Sequence, residues 1–397
     1  MKKVVVLSLF TGLFLAACSG GESSSEASGA LNYELRIVDS VQVDILSNGL
    51  NILDVNDQTG ELLAIQSEPP IAYRLSAKGE VLSTMKRPGD DPEAVGGLLL
   101  SGEFFEDGIA LIGRRYIKTY DRNFSLEKSL RMPYVPDGML YTGFNHLFEI
   151  STEKGNQLIS FSGGPQTEFT DRDKEFYQEY NLVDLVDPAL VSNSNNGFSK
   201  EQNAELFKPI GRIEPGSRFL NGKAFYFLRH VFDVKNEKLI YAFEKDTILY
   251  ELDLPTGKLN KATRIPFDEF ILNDGFSLGA AGFKEQNKPR DTAGQIYRVF
   301  QTQGFTVIVY ASGIKRSELM AIPEDQRNTR EWEINYKKHL ILKDGERVNT
   351  DLRLPEKMSY FNMADSEGYL WAHQNLDLLD NEPDFITFYK LKVVPVE

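Results

Sequence analysis

Three stretches of this chain share one plan, and that plan restricts the fold more than any other feature. They are IAYRLSAKGEVLSTMKRPGDDPE from Ile71, IKTYDRNFSLEKSLRMPYVPDG from Ile117 and TILYELDLPTGKLNKATRIPFDE from Thr247. Each runs from a β-prone segment with an aromatic residue, through a polar turn, into a second β-prone segment. Each then ends in a proline-containing loop with an acidic residue. A hairpin of this kind cannot bury its faces alone, so copies must stack on one another. The starts differ by 46 and 130 residues. The second gap reads as three units of ~40–50 residues, the length of a propeller blade.

Other segments continue the strand-turn-strand rhythm. Leu62–Ile65, Ile109–Ile112, Tyr116–Tyr120, Ser125–Leu130, Lys238–Phe243, Thr247–Leu252, Tyr369–His373 and Phe385–Val393 are short β-prone runs between polar or Gly-, Asn-, Asp- and Pro-containing turns. The pattern predicts an all-β fold, a β-propeller of six to eight blades with short helical insertions, with a large sandwich as the alternative. A ring leaves two open edges unless its first strand pairs with its last blade. Leu35–Val43 (LRIVDSVQV) is therefore expected to join the sheet of Phe385–Val393. Two stretches break the rhythm. Thr170 to Lys208 reads as an insertion between blades, with a short helix and a loop. Lys315 to Trp332 reads as a polar, helical excursion.

The N-terminus carries different information. Lys2 and Lys3 precede an apolar run from Val4 to Ala17, too short to span a bilayer core of roughly 30 Å. The string Leu15-Ala16-Ala17-Cys18 resembles the lipobox of bacterial lipoproteins. That resemblance implies cleavage before Cys18 and acylation of the cysteine, the only one in the chain. Ser19 to Ala30 is Ser/Gly-rich and behaves as a flexible coil reaching roughly 20 Å. The expected organisation is a signal peptide over 1–17, a tether over 18–30 and one propeller domain over 31–397.

The first repeat sharpens the reading. Its aromatic strand, its Lys-Gly turn and its loop Arg87-Pro88-Gly89-Asp90-Asp91-Pro92-Glu93 resemble the blades of TolB-like six-bladed propellers in lipoproteins of Bacteroidota. From lipobox to the closing strand FITFYKLK (Phe385 to Lys392), the chain resembles a lipoprotein family of that phylum known only as a domain of unknown function. The resemblance implies a lipid-anchored protein of the bacterial cell envelope, on the outer membrane, in either leaflet. It implies no catalytic residues.

The formal charge is −14, and loss of Lys2 and Lys3 takes it to −16. Such acidity opposes binding to nucleic acid or anionic lipid. No GxSxG, HExxH, phosphate-binding or dinucleotide motif is present. No cofactor, metal ligand set or catalytic residue is predicted. His146, His230, His339 and His373 stand singly. Alternation over AFYFLRHVFD puts Phe225, Phe227 and Arg229 on one strand face and Tyr226, Leu228 and His230 on the other. Arg229 and His230, with Arg114 and Arg115, are the candidate channel or ligand contacts. The leading expectation is a membrane-anchored binding or scaffold module, meeting an envelope protein, peptide or glycan. The alternative is a propeller hydrolase or lyase acting on carbohydrate or lactone, with a divalent metal in the channel. A third reading is a peptide or glycan sensor whose contact surface is Thr170 to Lys208.

Overall fold

A computed structural model describes residues 32–397, apart from 46, 48, 134–146, 166–168, 192–204, 255, 287, 351–352 and 380–383. The expected signal peptide, Cys18 and the expected tether lie outside the described residues. Strand β1 (Tyr33–Val43) precedes the first blade, which holds β2 (Leu50–Val55), β3 (Leu62–Gln66), β4 (Ile71–Leu75) and β5 (Val81–Lys86). Blade 2 is β6 (Leu99–Phe105), β7 (Gly108–Gly113), β8 (Tyr116–Tyr120) and β9 (Leu126–Arg131). Blade 3 is β10 (Leu147–Thr152), β11 (Gly155–Gly164), β12 (Asn181–Val186) and β13 (Phe207–Arg212). Blade 4 is β14 (His230–Lys235), β15 (Lys238–Phe243), β16 (Ile248–Asp253) and β17 (Lys258–Arg264). Blade 5 is β18 (Gln295–Gln301), β19 (Thr306–Ala311), β20 (Lys338–Lys343) and β21 (Glu346–Arg347). Blade 6 is β22 (Met358–Ala364), β23 (Leu370–Gln374) and β24 (Ile386–Pro395), with β1 as its fourth strand.

These are six antiparallel four-stranded sheets in a ring, a six-bladed β-propeller. Strands β2, β6, β10, β14, β18 and β22 are innermost and meet around the axis. The predicted closure is present. β1 pairs with β24 from Tyr33 opposite Pro395 to Val43 opposite Ile386, with a bulge between Ile37 and Asp39.

The sequence dictates this packing through strands that are buried on both faces. β7 (GIALIG) is buried at every position, whereas β17 (KLNKATR), at the rim, is buried at none. Apolar side chains collect in six clusters, one at each seam between neighbouring blades. Leu63 and Ile65 of blade 1 meet Leu99 and Ile109 of blade 2, and Trp371 and Phe388 of blade 6 meet Leu50 and Ile52 of blade 1. Turns are closed by short polar side chains. Asn56 Oδ1 accepts from Gln58 N and Thr59 N, and Asp121 Oδ1 accepts from Asn123 N and Ser125 N.

The three repeats are the outer hairpins of blades 1, 2 and 4: β4–β5, β8–β9 and β16–β17. The 130-residue gap therefore spans two blade steps, not three. Blade 3 is enlarged, because its second and third strands are joined through the helix Lys174–Gln178. Thr170 to Lys208 accordingly does not separate blades: it contains β12 and the start of β13. The excursion from Lys315 is helical at Arg316–Met320 and Arg327–Ile334, within blade 5. Residues 225–229 are not a strand. Ala224 bridges to Phe276, and Phe227 has φ 56° with an exposed ring. Alternating aromatics there imitate a strand, while the backbone N–H groups of Phe225 and Phe227 go to Tyr177 and Asp171 rather than to a neighbouring strand. Among the described residues no helix is long and apolar enough to cross a membrane.

Candidate functional site

The six inner strands run in the same sense, so their first hairpin turns gather at one end of the axis. There they surround a cavity of about 510 Å³. Every blade contributes to its lining, and the lining is acidic: Asp54, Glu103, Glu149 and Asp233 come from the inner strands of blades 1 to 4, with Gln301 from blade 5 and Asp365 beside blade 6.

These carboxylates also clasp the ring. Asp54 Oδ2 accepts from Phe104 N of blade 2 at 2.7 Å, Glu103 Oε1 from Glu149 N of blade 3 at 3.3 Å, and Asp233 Oδ2 from Gln301 N of blade 5 at 2.6 Å. The other oxygens of Asp54 and Asp233 accept from the next residue of their own strand, Val55 N and Val234 N. Glu149 Oε1 accepts from Glu106 N, in the turn of blade 2. An inner-strand carboxylate thus supplies acceptors to backbone donors that the channel would otherwise leave without a partner.

Burial is costly for so many like charges. It pushes Asp54 up to about 7, against the pull of the Phe104 and Val55 N–H groups, and Asp57 and Glu149 add to the rise. Burial pushes Asp233 up to about 7, again opposed by its two backbone donors. It raises Glu103 well above the carboxylate range, with Asp54, Glu149 and Asp233 adding repulsion across the channel. Glu149 is raised for the same first reason. The mouth therefore holds both protonated and ionised carboxyl groups near neutral pH. It can accept hydrogen bonds, exchange protons and attract cations. Lys235 Nζ lines the same cavity, buried and without a hydrogen-bond partner among the described residues. Among the described residues no three His, Cys, Asp or Glu side chains are grouped to hold a metal ion.

The residues singled out from sequence lie elsewhere. Arg114 and Arg115 are exposed in the turn between β7 and β8, at the opposite end of blade 2 from the cavity. Arg229 is half-buried just before β14, and its carbonyl accepts from Glu244 N at 3.0 Å. His230 is fully buried between blades 3 and 4. Its Nδ1 lies 3.1 Å from the Tyr180 hydroxyl, and its ring stacks on Phe161 at 4.9 Å. Burial pulls it down to about 3, so it packs as a neutral ring. The structure does not bring Arg114, Arg115, Arg229 and His230 into one site with the acidic mouth. Sequence reasoning missed Asp54, Glu103, Glu149 and Asp233. The available signal was a single acid near the end of an apolar inner strand, as in NILDV, SGEFF, LFEIS and HVFDV.

Comparison with known proteins agrees with the ring geometry. No protein-family model matches the chain, and no curated protein matches its sequence. The crystal structure of a member of the DUF4221 family from Bacteroides vulgatus is similar, with a TM-score of 0.55 at 11% identity over 92% of this chain and 100% of that one. The PQQ-bound aldose sugar dehydrogenase of Streptomyces coelicolor gives a TM-score of 0.47 at 13% identity, over 92% of this chain and 99% of that one. At 11% identity the likeness to the DUF4221 family member is one of fold alone.

Proposed function

We propose that this protein is a lipid-anchored binding module of the bacterial cell envelope, and that its acidic channel mouth takes a cationic ligand. One observation carries the reading: a cavity fed by every blade, in which four inner-strand carboxylates converge. Their mutual repulsion and burial hold them partly protonated, and a ligand ammonium or guanidinium group would relieve both costs. The lipobox-like string at Cys18 and the resemblance to TolB-like lipoproteins support the anchor and the compartment. An outer-membrane tether would place the mouth where envelope peptides and glycans pass. The hydrolase or lyase alternative draws on Asp54 and Asp233, held near 7 and able to exchange protons with a bound substrate.

The binding reading is tested by calorimetric titration of the full chain with spermidine and with a lysine-rich tripeptide. Binding should weaken at least tenfold in a Glu103→Gln, Glu149→Gln variant, and proton release should accompany it near pH 7. Equal binding by the variant would remove the mouth as the site. Incorporation of labelled fatty acid, abolished in Cys18→Ser, tests the anchor separately.

A further inference from the structure

The end of the channel opposite the acidic mouth carries the reverse charge. Arg229 stands before β14, Glu244 and Lys245 lie in the turn between β15 and β16, Arg298 lies within inner strand β18, and Lys337 precedes β20. Backbone hydrogen bonds fix these segments together. Glu244 N donates to Arg229 O at 3.0 Å, and Ile296 N donates to Glu244 O at 2.8 Å. Arg298 is flanked by Glu244 and by Tyr360 of blade 6. Lys337 lies near Arg298, with its ammonium 5.1 Å from the centre of the Tyr297 ring.

Three cations, Arg229, Lys245 and Arg298, therefore act on one carboxyl group, with Lys337 beyond Arg298, and that carboxyl group is poorly satisfied. Glu244 is only 5% exposed. Its Oε2 receives a long bond of 3.4 Å from Gln295 Nε2, while its Oε1 is buried with no hydrogen-bond partner among the described residues. A buried acceptor left without a donor has lost its water and gained nothing in return. Burial pushes Glu244 up to about 7, against the pull of Arg229, Lys245 and Arg298. Tyr180 and Tyr297 are the other titratable groups that sense it.

We propose that this basic end of the channel is a subsite for a small carboxylate-bearing ligand, with Arg298 as its main contact and the orphaned carboxyl of Glu244 as its hydrogen-bond partner. A planar guanidinium matches a carboxylate through paired N–H groups. The Glu244 O–H then donates to the ligand oxygen and gives the orphaned Oε1 side a partner. When Glu244 is ionised, one proton is taken up from solvent for each ligand bound. No covalent bond changes. This subsite stands apart from the cation-binding reading of the other mouth.

The test is an NMR titration of the full chain with ¹³C-acetate and with D-glucuronate at several pH values. Wild-type affinity should be constant below about pH 7 and fall roughly tenfold per pH unit above it. Glu244→Gln, whose amide donates at every pH, should bind with that dependence flattened. Arg298→Met should bind neither probe, and Lys337→Met, at an exposed position, should weaken both without disturbing the fold. Absence of wild-type binding, or a Glu244→Gln profile parallel to wild type, would overturn the proposal. So would undiminished binding by a folded Arg298→Met protein; if that variant does not fold, undiminished binding by Lys337→Met does the same.

Discussion

Replacing Asp233 with asparagine should change how the stability of this protein responds to pH, in a direction opposite to that of a salt-bridged acid. In the folded protein Asp233 is 6% exposed and pushed up to about 7 by burial. Unfolded, it titrates near an ordinary aspartate value of about 3.9. Between these values the folded state holds one proton more than the unfolded state. Stability supplied by this group is therefore full at the acid end and is lost as pH rises through about 7. The slope is about 1.4 kcal/mol per pH unit, and the whole window is worth about 4 kcal/mol. Asparagine resembles the protonated carboxyl in shape, keeps an oxygen for Gln301 N, and cannot ionise. Asp233→Asn should thus lose that slope and gain on wild type steadily from pH 4 to pH 7. Urea unfolding of both proteins at intervals of half a pH unit gives the comparison directly, through the difference in midpoints. Parallel curves would refute the reasoning, because they would mean that Asp233 is ionised in the folded ring and stabilised by its two N–H donors.

Three other outcomes are expected. Deleting Tyr33–Val43 should remove cooperative unfolding and promote self-association, seen by thermal scan and size-exclusion chromatography, because β24 becomes an open edge and Val43 leaves the seam with blade 1. Tyr180→Phe should cost about 1–2 kcal/mol in urea unfolding, because the His230 Nδ1 partner disappears inside a fully buried seam. Gly79→Ala should destabilise by a similar or larger amount: φ is +87° there, and a Cβ would stand 2.1 Å from Gln42 O of the closing strand.

The outer hairpins were legible in the sequence because their turns are exposed and carry their own chemistry. Ala77-Lys78-Gly79-Glu80, Asp121-Arg122-Asn123 and Pro255-Thr256-Gly257-Lys258 announce a reversal whatever lies around them. The ring closure was legible because two long β-prone runs stood at opposite ends of the pattern. The acidic mouth was not. Asp54 or Asp233 alone in an apolar strand looks like a strand end reaching solvent, and only ring closure brings residues 179 positions apart into one cavity. Arg229 and His230 attracted notice for the right reason, a charge within an apolar run. The backbone nevertheless turns irregularly before β14, and this sends His230 into the seam and Arg229 to the far end of the channel.

The pairing of β1 with β24 sets an order of assembly. The strand made first waits for the strand made last, across a separation of 362 residues from Tyr33 to Pro395. Closing so long a loop is entropically unfavourable until the blades between have already brought the two ends near. Blades 1 to 5 hold all their own strands and can form as the chain emerges, but blade 6 cannot. A chain interrupted before Ile386 would therefore leave β1 and β23 each without β24, two open edges able to pair with strands of a neighbouring molecule. Strand β24 thus joins the first strand to the last hairpin, and blade 6 is whole only when both of its neighbours have found it.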